Sequence, residues 1–284
     1  MGYRLTLAQI AFILDLFYSG VSMRRVSRLF RTTYQIPVSP SKIERLKQEW
    51  VKKVDDAINI AIEKREDGFV LVFGDIWEVD EIYIKQNKTY VALMIVRDLK
   101  TGFDLGINII ETKQDPDRQK PSITSNEVTI ALENARKTAH RCPKELRCDG
   151  LQAYEKTVEK VFGHDSILTI RKRVDGRGQN QSIEGHNGVL RSRIKAMKSL
   201  HGKESSIFTL KGLIINYNYV DTSPALYDMT PYEMASGKTT VDGRRTWLSL
   251  LELARKHEPI PENQFKPETA LELRKTTLDF WVLS

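Results

Sequence analysis

The sequence predicts an α/β protein in which a small all-helical N-terminal unit precedes a mixed β-sheet core covered by helices. Three observations predict it. Apolar residues recur at helical spacing through the N-terminal part, and the period then becomes extended near Trp77. Three extended runs follow one another across short turns, after which strands alternate with helical segments. A chain of 284 residues is long enough for one sizeable core with one or two small satellites.

Leu7, Ile10, Ala11, Leu14 and Phe17 mark a first helix from Leu7 to Tyr18, which Gly20 ends. Ser22 is placed to cap a second helix through Arg31, with Val26, Leu29 and Phe30 inward. Tyr34 to Val38 reads as a turn. Ser39 and Pro40 read as N-cap and first residue of a third helix running at least to Lys53, with Ile43, Leu46 and Trp50 as its buried stripe. Three short helices with a tight second connection read as a helix-turn-helix, whose last helix could enter a major groove. The alternative is a helical bundle that only packs on the core. Arg24, Arg25, Arg28, Lys42 and Arg45 are the candidate DNA contacts of this unit.

Asp55–Gly68 reads as a charged helical connector. Trp77–Lys85, Tyr90–Asp98 and Phe103–Thr112 then read as an antiparallel meander, with turns at Asn87-Lys88 and Lys100-Thr101-Gly102. A helix over Asn126–His140, a strand Leu146–Cys148, a helix Ala153–Phe162 and a strand Ile167–Ile170 follow. A long helix comes after the polar loop Asp175–Asn180. Strand, strand, strand, helix, strand, helix, strand, helix is the order of an RNase H-like core. The expected organisation is 1–66 for the helix-turn-helix and connector, 67–237 for the catalytic core and 238–284 for a mainly helical tail. That tail, with a helix near Trp247–Lys256, reads as a packing arm or dimer contact.

Composition narrows the partners. No apolar run approaches the roughly 20 residues that span a bilayer, and no signal-peptide pattern opens the chain. The only cysteines are Cys142 and Cys148, which argues for a reducing, cytoplasmic compartment. With His140 they lack a fourth ligand for a zinc site. The formal charge is +7, but residues 1–53 alone sum to +7 and residues 171–203 again to +7, leaving −7 for the other 198. Basic charge gathered into two segments of an otherwise acidic chain suits a polyanion, nucleic acid first. A solvated basic surface is the alternative.

The carboxylates carry the chemistry. Asp80 sits mid-strand between Val79 and Glu81, where a carboxylate is costly unless something compensates it, and a metal ion is the usual compensation. Asp149 ends the fourth strand, before Gly150, and Glu184 lies in the first turns of the long helix. An RNase H-like sheet brings these three to one edge. Carboxylate oxygens suit Mg²⁺, and two ions about 3.5–4 Å apart clamp the attacking and leaving oxygens of an in-line phosphoryl displacement. Asp80 would bridge both ions, with Asp149 and Glu184 each completing one site. The nearest competitors are Glu78, Glu81 and Asp75; Glu78 shares the face of Asp80 by period two, and Glu81 points to the opposite face. Gly188, Arg191, Lys195 and Lys198 follow Glu184 at +4, +7, +11 and +14, so they share its helix face. Cations without interspersed acids suit a track for DNA phosphates, the alternative being a solvated or partner-covered face.

These residues resemble a known family. Trp77-Glu-Val-Asp80-Glu-Ile-Tyr-Ile-Lys85, Arg147-Cys-Asp149-Gly150-Leu-Gln-Ala-Tyr154 and Asn180-Gln-Ser-Ile-Glu184 resemble the three DDE blocks of insertion sequence family six transposases. The 34 residues between Asp149 and Glu184 match the family spacing. Ile215-Asn-Tyr217-Asn218-Tyr-Val and Met229-Thr-Pro231-Tyr-Glu resemble the segment that closes the integrase-type core, and Tyr18-Ser-Gly-Val-Ser-Met-Arg-Arg resembles the preceding helix-turn-helix. The likeness covers roughly residues 5–237.

The resemblance implies a DNA transposase that nicks DNA at the inverted repeats ending a mobile element and joins the 3′-hydroxyl to target DNA. It implies two Mg²⁺ ions, with Mn²⁺ able to substitute, a homodimer, and a prokaryotic cytoplasm where the protein is nucleoid-associated when bound to DNA. The sequence departs from the family at Val220-Asp-Thr-Ser223, where an Arg-Pro-His run is common. It departs again at His186, two residues after Glu184 rather than three, which reads as an ordinary surface histidine. Two rival functions remain: an RNase H-type nuclease or junction resolvase that does not join, and a transposase-derived DNA-binding regulator.

Overall fold

The computed structural model describes residues 5–86, 89–111, 123–148, 153–164, 166–170, 181–197, 203–238 and 245–258. Helix α1 spans Leu7–Tyr18 and opens with a capping box in which Thr6 and Gln9 satisfy each other's backbone N–H groups. Helix α2 spans Met23–Tyr34, three residues beyond the expected end, and stops where Gln35 turns left-handed at φ 56°. Ser22 holds the N-cap position of α2, but its side chain makes no capping hydrogen bond. At the start of α3 the expected cap is made, Ser39 Oγ accepting from Lys42 N at 3.2 Å with Pro40 in the first turn.

Helix α3 joins the expected third helix to the helical connector after it. It runs unbroken over Pro40–Glu63, through the stretch that reads as a charged connector. The reason is that its apolar stripe never lapses: Trp50, Val51, Val54, Ala57, Ile58, Ala61 and Ile62 are all buried. The first half of the helix, through Ile43, closes a small core with Ile13, Val26, Phe30 and Val38. The second half lies in the main core together with Leu14, Phe17 and Tyr18 of α1.

Strands β1 (Ile76–Gln86), β2 (Thr89–Asp98), β3 (Asp104–Glu111), β4 (Glu145–Cys148) and β5 (Ile167–Ile170) form one mixed sheet in the order β3-β2-β1-β4-β5. The first three are antiparallel, while β4 runs parallel to β1 and β5 parallel to β4. This is the RNase H-like arrangement, a meander on one side and crossover strands on the other. Helices α4 (Ser125–Ala139) and α5 (Ala153–Phe162) cover one face. There Trp77 meets Phe162 edge-on at 5.7 Å between ring centres. Gly106 lets α4 lie directly on β3, because a Cβ at that position would collide with the backbone of Ala131 and Ala135.

The other face of the sheet receives α6 (Gln181–Met197) and α7 (Lys203–Tyr219). The Ile215–Val220 motif therefore belongs largely to a 17-residue helix. A short helix α8 (Pro231–Ser236) follows, and α9 (Trp247–Lys256) packs on α1 and α3. Trp247, 1% exposed, stacks on Tyr18 at 5.1 Å and donates from Nε1 to Asn216 Oδ1 at 2.7 Å. Burying a side chain of that size contributes about 3 kcal/mol, so the helix near Trp247 is part of the core rather than a loose extension. No helix among the described residues is long and apolar enough to cross a membrane.

Candidate active site

Strand alternation sorts the acids of β1 between two environments. Glu81 faces α5, where its Oε2 accepts from the Tyr154 hydroxyl at 3.3 Å. Glu78 and Asp80 face the opposite layer, but at different depths. Glu78 is 2% exposed and stands level with Arg97 on β2 and with Arg147 on β4. Arg97 in turn stands level with Asp104 on β3. Four adjacent strands thus carry a row of alternating sign, Asp104, Arg97, Glu78, Arg147. The Arg147 guanidinium is held above its ordinary pKa, mainly by its hydrogen bond to Glu145 and also by the Glu78 charge. Glu78 is thus a buried carboxylate in a row with two arginines, whose guanidinium groups bond to Asp104 and Tyr217 on one side and to Glu145 on the other.

Asp80 lies one step further toward the end of β1, opposite Ile95 of β2, and is half-exposed. Its cross-strand neighbour on β2 is apolar rather than an arginine. Its Oδ2 accepts from Asn187 Nδ2 of α6 at 2.7 Å. Asn187 has no solvent exposure. On the same helix Ile183, His186, Leu190, Ile194 and Met197 are also buried, whereas Glu184, Gly188, Arg191 and Lys195 are exposed. Glu184 therefore stands one turn before the residue that grips Asp80, on the solvent-facing flank. Asp149 and Lys198 lie outside the described residues.

His186 corrects an expectation. It is 5% exposed, not a surface residue. Its Nε2 lies 2.8 Å from Asp104 Oδ2, and its ring centre is 4.1 Å from that of Tyr217. Burial pushes the imidazole below its ordinary pKa, with Asp104 pulling the other way. The apolar stripe Ile183, Leu190, Ile194, Met197 passes through positions 186 and 187. A polar pair on such a stripe is the signal that could have announced buried polar partners.

The candidate DNA contacts of the N-terminal unit divide by exposure. Arg24, Arg25 and Arg28 on α2 and Arg45 on α3 are exposed, and Lys42 is half-buried. Lys42 borders a groove that also includes Trp50, Lys53, Arg255 and Glu258. The lysine that sequence reasoning missed is Lys47, which has no solvent exposure. Its Nζ donates to Glu44 Oε2 at 2.9 Å and to the hydroxyls of Ser205 and Thr209 at 3.2 and 2.8 Å, tying α3 to the first turns of α7. Desolvation lowers its pKa, and Glu44 opposes that shift.

The described residues contain no cluster of three or more His, Cys, Asp or Glu side chains able to hold a metal ion. The donors that are described do suit a hard cation. Asp80 and Glu184 are carboxylates within reach of solvent, the ligand chemistry Mg²⁺ takes, and Asn187, one turn after Glu184, donates to Asp80. Both cysteines are free thiols, Cys148 buried and Cys142 half-buried.

Fold and site together define a mixed α/β protein with an RNase H-like sheet that presents a carboxylate on its central strand beside a helix carrying a second. No protein-family model matches the chain, and no curated protein matches it. Among solved structures, retroviral integrases show a partial similarity to it. The HTLV-2 integrase catalytic core domain in complex with magnesium, in its trimeric form, is 16% identical with a TM-score of 0.41, over 58% of this chain and 98% of that one. The BIV integrase catalytic core domain is 15% identical with a TM-score of 0.38, over 57% of this chain and 93% of that one. The simian T-cell lymphotropic virus intasome, in complex with PP2A regulatory subunit B56 gamma, is 17% identical with a TM-score of 0.38, over 68% of this chain and 59% of that one.

Proposed function

We propose that the chain is a DNA transposase that cleaves strands at the ends of a mobile element and joins them to target DNA. The observation that carries this reading is the contact between Asp80 and Asn187. It brings a half-exposed carboxylate of the central strand against the helix that displays Glu184 and then Arg191 and Lys195. Asp80, Asp149 and Glu184 would hold Mg²⁺, or Mn²⁺ in its place. When bound, the ions would supply neutralisation of charge developing on the transferring phosphoryl group.

The chain's own part is positioning. The exposed cations Arg191 and Lys195 of α6, and with them Lys198, serve the phosphates leading to the reacting bond. Arg24, Arg25, Arg28, Lys42 and Arg45 serve recognition of the element's terminal inverted repeats, with α3 as the helix presented to the major groove. Pairing two element ends calls for a homodimer. The setting is the prokaryotic cytoplasm, at the nucleoid.

The test is strand transfer of pre-cut element ends into target DNA in Mg²⁺, for the wild type and for Asp80→Asn, Asp149→Asn and Glu184→Gln. Each substitution removes a charge and keeps the shape, so folding and DNA binding are expected to persist while joining is lost. Cleavage without joined product by the wild type would make the protein a nuclease or resolvase. Binding without any cleavage would make it a regulator. Near-wild-type joining by any one variant would remove that residue from the triad.

A further inference from the structure

A chain of buried polar side chains runs behind α6. Arg97 of β2 donates to Asp104 Oδ1 at 3.3 Å and to the Tyr217 hydroxyl at 2.5 Å. Asp104 is also gripped by its backbone: its N–H donates to Asn218 Oδ1 at 2.9 Å, and its C=O accepts from Asn218 Nδ2 at 3.0 Å. The remaining carboxylate oxygen of Asp104 lies 2.8 Å from His186 Nε2. Apolar residues of similar volume are commonly cheaper to bury than such a set. What the polar set adds is direction.

His186 and Asn187 are consecutive, so their side chains leave the helix axis about 100° apart. One reaches Asp104 on β3, at the edge of the sheet, and the other reaches Asp80 on β1, at its centre. Two contacts at different azimuths on two different strands fix how far a helix can roll, which one contact or an apolar stripe alone does not. We propose that His186, clamped between Asp104 and Tyr217, is a positioning residue that sets the roll of α6 and thereby the direction in which Glu184 faces. The inference rests on the reading of Glu184 as a carboxylate of the site.

Amide hydrogen exchange along α6 in the metal-free protein reads the clamp directly, and strand transfer in Mg²⁺ reads its consequence. His186→Ala removes the imidazole from both Asp104 and Tyr217, whereas His186→Gln restores a donor near the place of Nε2. In His186→Ala, amides of Gly185–Ile194 are expected to exchange about ten- to a hundredfold faster, the range for removing the polar neighbour of a buried charged group. Exchange in β1 and β2 stays unchanged, and strand transfer falls by a similar factor at unchanged DNA affinity. His186→Gln recovers most of both. Wild-type exchange in α6 of His186→Ala overturns the proposal, as does faster exchange throughout the sheet in both variants. Glu184→Gln, measured alongside, separates the two readings: if it remains active, the catalytic role of Glu184 fails, while the exchange data still decide whether His186 clamps the helix.

Discussion

Asn187 Nδ2 donates to Asp80 Oδ2 across 2.7 Å, joining a side chain without solvent exposure to a half-exposed carboxylate on the central strand. The bond fixes one oxygen of Asp80 and registers α6 against β1. Hydrogen bonds to charged groups contribute about 1.5–3 kcal/mol, less when one partner is half in water. Asn187→Ala should therefore lower stability by about 1–2 kcal/mol in urea unfolding and reduce strand transfer. A change under about 0.5 kcal/mol would mean that the bond does not register the helix.

Glu78 and Asp80 should respond in opposite ways. Glu78→Gln removes a buried charge from the row that Arg97 and Arg147 share across the sheet, which should cost about 1–3 kcal/mol. Its molecules that remain folded should still join DNA at close to the wild-type rate. Asp80→Asn should keep its melting temperature within a few degrees and lose joining. Thermal melting and strand transfer on the same preparations separate the two, and an inactive but stable Glu78→Gln would exchange their roles.

Lys47 makes a pH-dependent contribution. Burial lowers its pKa, so between that lowered value and the ordinary 10.5 the unfolded chain binds more protons than the folded one. Stability contributed at this residue should rise with pH through that window. Lys47→Met, which keeps the volume and drops the charge, should abolish the rise, and at neutral pH it should cost about 1–3 kcal/mol for the partners it leaves on Glu44, Ser205 and Thr209. Lys47→Ala should cost about 2–4 kcal/mol, since it leaves both a cavity and unpaired partners on Glu44, Ser205 and Thr209. The comparison is urea unfolding of wild type and Lys47→Met across alkaline pH, and parallel curves would refute it.

Recognition of element ends has to be tested by surface substitution. Removing residues 1–66 would strip Val51, Val54, Ala57, Ile58, Ala61 and Ile62 from the main core and so unfold the chain. The set Arg24, Arg25, Arg28 and Arg45→Ala leaves that core intact because all four are exposed. Discrimination between terminal-repeat and random DNA is expected to fall by about 1–3 kcal/mol for each base-reading side chain removed. Unchanged discrimination would place recognition elsewhere.

Neutralising Arg191, Lys195 and Lys198 addresses the second basic segment. If this face follows phosphates, the triple alanine variant should bind all DNA sequences more weakly. The dependence of log affinity on log salt should flatten by about 0.9 for each duplex phosphate that is no longer neutralised. An identical salt slope with loss of dimerisation would point instead to a subunit contact.

The order of elements, most of their limits and the candidate carboxylates were legible in the amino-acid order alone, because each rests on a local property. Period 3.6 against period 2, a Ser-Pro cap and an acid inside an apolar strand can all be read within a few residues. Leu7–Tyr18, Ala153–Phe162 and Ile167–Ile170 fall where the patterns place them. Tertiary packing was needed to show that α3 continues to Glu63 as part of the core, that α9 is pinned there by Trp247 and that His186 is buried. It was needed also to separate Glu78 from Asp80, two residues apart on one face. The distinction lies in what stands across the sheet: arginines on both neighbouring strands for Glu78, and a buried asparagine from α6 for Asp80. The cost of burying a charge depends on partners far away in the chain, and no local pattern encodes those partners.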